Sequence, residues 1–505
     1  MNHTTELFQH CEETRQSACG VERSIKSAKG QFLTPIRTAR FMSSLFQCTP
    51  KHVRILDPGA GSGILFSALV SECCSRKIPP DSISVVAYEN DLKMIPQLSH
   101  TVELCAALCR KKCIRFCGTV KEEDFILSTL EESKMLLFEA PNRFSHVILN
   151  PPYKKITGQS VWRKKLDAAK KPVSNLYAAF TWLAMELLDF QGELVAITPR
   201  SFCNGPYFRQ FRKSLTKTLF LDFFHLYHSR NVAFSEDSVL QENVIFHAIK
   251  GVSKKNTIIS VSADLDYEKS HRISVPCDRV VLPNDRDCFI HLPENKKGYE
   301  LQNQTNKLEN TLENLNINVS TGKVVDFRNK NFLLHSPVPS SIPLIYPCHL
   351  FKGEVRWPVD SQKPNALIHS EKTEKLSVPC GNYLLVKRFT AKEELRRVVA
   401  AICSPDSLPY SCWGFENHLN FFHHNGLGLD LMIAKGLFIY LNSTFFDRYF
   451  RLFSGHTQIN ATDLRKIKYP TRRQLERLGE KLVTPDTEQE RIDDLLRVEC
   501  DLYAR

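Results

Sequence analysis

Along the first half of the chain, short runs rich in Val, Ile and Leu alternate with longer stretches whose apolar residues recur at helical spacing. The runs Val53–Leu56, Ser84–Tyr88, Ile114–Phe116, Val147–Leu149 and Leu194–Thr198 predict buried strands joined by helices. That alternation implies an α/β domain built on a mostly parallel sheet. Two more β-prone runs, near 219–226 and 242–249, predict an antiparallel closing pair that completes a seven-stranded sheet. Beyond about residue 255 the alternation fades, and 270–300 and 335–382 are rich in proline and short β-prone runs. The pattern therefore predicts an N-terminal arm over 1–29, an α/β domain over 30–255, an α+β domain over 256–480 and a charged helical tail over 481–505.

The strand ends carry the candidate chemistry, as expected where open α/β sheets bind ligands. The run Val147–Leu149 stops abruptly in Asn150-Pro151-Pro152-Tyr153, where consecutive prolines remove backbone donors and hold the turn extended. The Asn150 side-chain oxygen and the Pro151 carbonyl can both accept from one planar amino group, while the Tyr153 ring can stack on the ring that carries it. The first strand ends in Asp57-Pro58-Gly59-Ala60-Gly61-Ser62-Gly63, a turn that lets backbone approach a nucleoside closely. Glu89, at the tip of the second strand, is placed to accept from ribose hydroxyls. Asp124 of the Glu-Glu-Asp-Phe stretch could accept from an adenine amino group. Upstream, Thr34 predicts a helix N-cap with Pro35 at the first helical position, leaving Phe32 in the loop before it. Phe234 lies between the closing strands, able to reach the pocket as a second stacking plate.

The 505 residues allow two or three domains, and 42% hydrophobic with 24% charged residues is ordinary for a globular chain. Against 55 acidic residues stand 67 Lys and Arg, and the net charge of +12 favours a polyanionic partner. Basic residues gather in Lys154–Lys171, beside the candidate pocket, and interleave with aromatics in Val386–Phe389, with Arg396 and Arg397 close by, and in Arg448–Asn460. The N-terminus lacks an apolar signal core, and no run approaches the roughly 18 apolar residues of a membrane span. A soluble, cytoplasmic protein with no membrane association is expected. The 17 cysteines then read as reduced thiols, and Cys105, Cys109, Cys113 and Cys117 lack the paired spacing of a metal site, so no metal is expected.

Taken together, the order QFLTP, DPGAGSG, an acidic strand end, EDF, NPPY and NLYAAF resembles the gamma-class amino-methyltransferases of type II restriction-modification systems, with a TaqI-like architecture. The blocks NVAFSEDSVLQENVIFHAI and SGHTQINATDLRKIKYP are similar to the PstI/BsuBI subgroup. The resemblance implies a Rossmann-like seven-stranded methyltransferase domain followed by an α+β target recognition domain. It implies S-adenosyl-L-methionine as cofactor, bordered by Phe32 and Thr34, with Asp57, Gly59 and Gly61 in the main turn, Glu89 on the ribose, and Asp124 and Phe125 at the adenine moiety. Asn150, Pro151, Pro152 and Tyr153, with Phe234, would hold an adenine flipped out of double-stranded DNA for methylation of its 6-amino group. The subgroup suggests CTGCAG as the site, a monomeric enzyme, and a cognate restriction endonuclease as a separate protein. Cytosine 4-amino methylation and protein glutamine methylation suit the same grip. A recognition subunit that binds DNA without catalysis is disfavoured by the complete motifs.

Overall fold

A computed structural model describes residues 3–19, 33–135, 143–227, 242–283, 285–305, 307–390, 394–453 and 458–503. The chain divides into two compact units, Met1–Glu294 and Asn295–Arg505.

The first unit is organised by β1 (His52–Asp57), β2 (Ser82–Tyr88), β3 (Arg115–Lys121), β4 (Phe144–Leu149), β5 (Leu188–Pro199), β6 (Leu219–Tyr227), β7 (Asn243–Lys250), β8 (Asn256–Ser262) and β9 (His271–Pro276). They form one sheet in the order β3-β2-β1-β4-β5-β7-β6-β8-β9. From β3 to β5 the pairing is parallel, and β7 enters antiparallel between β5 and β6. The seven expected strands are thus present, with the expected antiparallel closure. The sheet continues further: β8 pairs parallel with β6 and β9 antiparallel with β8. The boundary expected at 255/256 therefore falls inside this sheet, and the first unit runs on to Glu294.

The central strands read as continuous apolar runs because both faces are covered by helices. Ile55, Val85, Ile148, Val195 and Ile197 are buried in one core with Leu65, Phe66 and Leu69 of the helix Ile64–Ser75. Each such aliphatic side chain contributes about 1.5–3 kcal/mol by leaving water. The expected polar arm contains a packed helix, His3–Cys19, whose Leu7, Phe8 and Cys11 enter the same core. Its polar sequence hid this, because only one narrow stripe is buried.

The second unit combines a six-stranded and a five-stranded sheet with helices that include Leu431–Asn442, Thr444–Phe453, Arg472–Lys481 and Gln489–Cys500. This is the mixed α+β composition expected there, and the C-terminal helix belongs to this unit rather than forming a separate tail. No helix among the described residues is long and apolar enough to cross a membrane.

Candidate active site

Parallel pairing of Leu56 with Val147 brings the C-terminal ends of β1 and β4 to one edge of the sheet. Asp57 and Asn150 follow directly at that edge. Here the side-chain nitrogen of Asn150 donates to the Thr34 hydroxyl at 3.0 Å, across 116 residues of sequence. Thr34 is 3% exposed and does not cap the helix Ile36–Ser44: Pro35 holds that position, and the threonine hydroxyl serves the turn after β4 instead. With its nitrogen facing Thr34, the Asn150 carboxamide presents its oxygen as the accepting end.

The turn itself is held on both sides. Pro151 is buried, while Pro152 and Tyr153 are half-buried. The Tyr153 hydroxyl donates to the Ile197 carbonyl at 3.3 Å, and its ring meets Tyr177 edge to face at 6.3 Å. Burial pushes the Tyr153 phenol well above its ordinary range, so it stays neutral. Beyond the turn, Leu176 donates its amide to the Lys154 carbonyl, and Lys155 bridges to Asn175. The Asn-Leu-Tyr segment is therefore the backbone clamp for the exit of the turn as well as the start of a helix.

At the neighbouring strand end, Gly61 (φ +54°) and Gly63 (φ +83°) adopt left-handed conformations, and Gly63 opens the helix Ile64–Ser75. A Cβ on Gly63 would lie 2.7 Å from the Phe66 ring, so the turn requires glycine there. The Gly61 amide donates to Glu89 at 2.8 Å, while the other Glu89 oxygen accepts from the amides of Asn90 and Asp91 at 2.9 and 2.8 Å. Glu89 thus ties the glycine turn to the end of β2. Burial raises its pKa despite these amides.

Asp57 is fully buried. The amides of Gly59 and Phe66 face its carboxylate, but neither oxygen makes a hydrogen bond of ordinary geometry among the described residues. Burial lifts its pKa to about 8, opposed by those amides and reinforced by Glu89. A buried acid left in this state fits a cationic group on a ligand. The acidic, glycine-lined cradle accordingly suits a nucleoside that carries an ammonium.

Asp124 caps the helix Phe125–Met135 through the Leu127 amide at 3.0 Å, and its second oxygen accepts from the Trp162 indole at 2.9 Å. Phe125 is buried, with its ring 5.1 Å from Tyr88 and 5.3 Å from Phe180. Phe180 in turn lies against Gly59, so these rings wall the glycine turn. Phe32 and Phe234 lie outside the described residues.

Three features of this unit were not read from sequence. Trp162 sits in a stretch that looks only basic, and nothing local links it to Asp124. His247, fully buried, hydrogen-bonds Glu193 at 2.8 Å and Asp222 at 3.2 Å, and Glu193 also accepts from the amides of Gln47 and Cys48. Arg200, directly after β5, lies 3.7 Å from Glu242 and 3.6 Å from Glu294. Each joins residues far apart in the chain. Conversely, Cys105 and Cys109 are buried while Cys113 and Cys117 are exposed, so the cysteine run is not one cluster.

Fold and strand order together define a Rossmann-like methyltransferase domain. Comparison with known proteins agrees. Residues 103–232 match the family described as Eco57I restriction-modification methylase. Type II methyltransferase M.PstI of Providencia stuartii is 41% identical over 484 residues, covering 95% of both chains. Type II methyltransferase M.BsuBI of Bacillus subtilis is 42% identical over 480 residues, covering 94% of this chain and 93% of its own. Among solved structures, the type IIL restriction-modification enzyme MmeI in complex with DNA matches in fold, with a TM-score of 0.51 at 11% identity over 94% of this chain and 68% of that one. The chain belongs to the type II methyltransferases of restriction-modification systems, and its substrate is DNA. Its methyl donor is S-adenosylmethionine.

Proposed function

We propose that the protein methylates the exocyclic 6-amino group of an adenine turned out of duplex DNA into the pocket at Asn150–Tyr153. The observation that carries this reading is the fixed Asn150 carboxamide, anchored on Thr34 at the sheet edge that also bears Asp57 and Glu89.

S-adenosylmethionine supplies an electrophilic methyl group on a sulfonium. Asp57 fits its ammonium, Glu89 lies at the strand end where ribose hydroxyls would be met, and Asp124 has an acceptor geometry suited to an adenine amine. The target amine is a poor nucleophile because its lone pair is delocalised into the purine. Acceptance of its two N–H bonds by the Asn150 oxygen and the Pro151 carbonyl localises that pair on nitrogen. As the new N–C bond forms and the S–C bond breaks, one amine proton is lost, and water can take it. Tyr153, held by Ile197 and Tyr177, supplies a stacking face, with Phe234 as the second plate. Stacking offsets part of the few kcal/mol required to extrude the base.

Lys154, Lys155, Lys164 and Lys170 are exposed on the segment beyond the turn, where they can meet phosphates. The second unit acts as the target recognition domain. The site is CTGCAG, methylated by a monomer in the cytoplasm, which protects host DNA from a separate cognate endonuclease.

The test is incubation of the full chain with duplex DNA and methyl-labelled cofactor, followed by digestion to nucleosides. Label in N6-methyldeoxyadenosine is expected. Label in N4-methyldeoxycytidine would overturn the adenine assignment, and label confined to protein amides would overturn DNA as the acceptor.

A further inference from the structure

The second unit contains two segments in which cations and aromatics interleave, and the structure separates them. In Arg448–Phe453, Phe450 is fully buried and Tyr449 is nearly so, while Arg451 pairs with Asp447 at 2.8 Å and donates to the Glu394 carbonyl. Arg397 is buried against Thr390 and Asp447, and Arg396 donates to the Asn442 carbonyl. These cations hold the unit together. In the stretch Lys387-Arg388-Phe389, the Arg388 guanidinium also donates to a backbone carbonyl, that of Asn417 at 3.0 Å, but the Phe389 ring is left exposed.

Phe389, two residues past the strand Tyr383–Lys387, is 43% exposed, although Val386 in that strand and the following Thr390 are buried. The backbone that presents it is fixed. Arg388 donates its amide to the His418 carbonyl at 2.9 Å, and its own carbonyl accepts from Ile459 at 2.7 Å. The neighbouring strands Asn318–Thr321, Leu419–His423 and Tyr383–Lys387 pair so that Thr321 faces Asn420 and Leu419 faces Lys387. Lys323, His418 and Arg388-Phe389 consequently emerge at one end of these three strands, where the Lys323 ammonium donates to the Ser377 carbonyl at 3.1 Å. The His418 ring lies 4.9 Å from the Phe389 ring, and the Arg388 guanidinium carbon lies 5.6 Å from it.

His418 is held in an unusual way for a half-exposed side chain. Glu416, fully buried, faces the His418 Nδ1 at 2.5 Å with one oxygen and accepts the His418 amide at 2.8 Å with the other. Burial pushes the Glu416 pKa up, opposed by its hydrogen bonds from His418. Gly322 lies against the Glu416 backbone so closely that a Cβ would come within 2.0 Å of its carbonyl oxygen. The result is an imidazole whose Nδ1 donates inward and whose Nε2 is fixed at the exposed edge, as when a carboxylate orients a histidine for a ligand. Among the described residues Nε2 has no hydrogen-bond partner.

We propose that Phe389 and His418 form a base-reading element for duplex DNA: the His418 Nε2 hydrogen-bonds one base edge, Phe389 packs beside it, and Arg388 and Lys323 flank the pair. An aromatic ring, an oriented imidazole and two cations at one end of paired strands match what reads base edges next to phosphates. This rests on DNA methylation as the activity of the chain, and it adds which residues choose the sequence.

The test maps methylated positions in genomic DNA treated with the full chain and cofactor, for wild type, His418→Ala and Phe389→Ala. Wild type is expected to methylate one short motif. Each variant is expected to relax discrimination about tenfold at one base-pair position and its symmetry mate while keeping the preference at the other positions. Phe389 is 43% exposed, so Phe389→Ala should keep the wild-type thermal melt, whereas His418→Ala leaves the buried Glu416 without its imidazole and should lower the melt, so its discrimination is read at a temperature where the variant is folded. Variants that methylate the same motif with unchanged discrimination at every position would overturn the proposal and leave the methyltransferase reading standing. A uniform loss of rate with no change in motif would also overturn it, because that is the signature of a phosphate contact. Failure of wild type to methylate DNA at all would overturn both readings together.

Discussion

The side-chain nitrogen of Asn150 and the hydroxyl of Thr34 meet at 3.0 Å, joining the turn after β4 to the loop that enters the helix Ile36–Ser44. This bond turns the Asn150 nitrogen towards Thr34 and leaves the carboxamide oxygen as the accepting end. Thr34→Val keeps the shape and removes the hydroxyl. A hydrogen bond of this kind is worth about 0.5–1.5 kcal/mol, so single-turnover methyl transfer should fall roughly three- to tenfold. Thr34→Ser should restore the rate, and neither variant should shift the melting temperature appreciably. An unchanged rate in Thr34→Val would show that the anchor does not set the acceptor.

Asp57 should release a proton when cofactor binds. Burial holds its pKa near 8, so at pH 7 the free protein carries it mainly protonated. A bound cation favours the carboxylate and expels the proton. Calorimetry in buffers of different ionisation enthalpy should show release approaching one proton at pH 7, declining as pH rises above 8. Asp57→Asn should remove the release and weaken cofactor binding. The same raised pKa makes Asp57 a stability cost that grows as pH rises from its ordinary value of 3.8 through about 8.

Trp162 donates to one Asp124 oxygen while the Leu127 amide donates to the other. Trp162→Phe removes the indole donor but keeps an aromatic ring. The cofactor KM should rise several-fold while kcat at saturation stays near wild type, because the amine grip at Asn150 is untouched. Titration of cofactor under steady-state turnover separates the two quantities, and an unchanged KM would remove Trp162 from the site.

The His247 network should give the fold a marked pH dependence. Burial alone would lower the His247 pKa, but its hydrogen bonds to Asp222 and Glu193 outweigh that and raise it above 6.5. Its contribution is therefore complete below about pH 6.5 and is lost as pH rises through the higher folded value. Glu193 and Asp222 behave oppositely: hydrogen bonds from His247, with Lys254 on Asp222, lower both against burial, Asp222 to about 2. Their contribution is present above the ordinary carboxylate range and is lost as pH falls towards those folded values. Thermal melts should be highest between about pH 5 and 6.5. His247→Gln should cost roughly 3–5 kcal/mol at pH 6 and flatten the alkaline limb.

Much of the site was legible because its parts are local. A run of β-prone residues ending in Asn-Pro-Pro-Tyr or Asp-Pro-Gly declares a strand end without reference to the rest of the chain, and β1, β2, β4 and β5 lie where those runs placed them. What escaped depends on distance in sequence. Thr34 has the residue type and position of a helix cap, and only its contact with Asn150 shows its other use. Asn256–Ser262 is a β-prone run of ordinary length, but no helix separates it from β7 and the strand–helix alternation has already ended there, so local pattern does not tie it to the first sheet. In Arg448–Phe453 the alternation of Arg with aromatics is helical amphipathicity, with the rings turned inward.

The central claim is that one carboxamide grips the reacting amine. Single-turnover methyl transfer by Asn150→Ala, measured alongside its cofactor and DNA affinities, tests it most directly. The account expects a loss of at least about a hundredfold in the transfer rate, with both ligands still bound and the melt unchanged. Transfer at the wild-type rate by Asn150→Ala would contradict it.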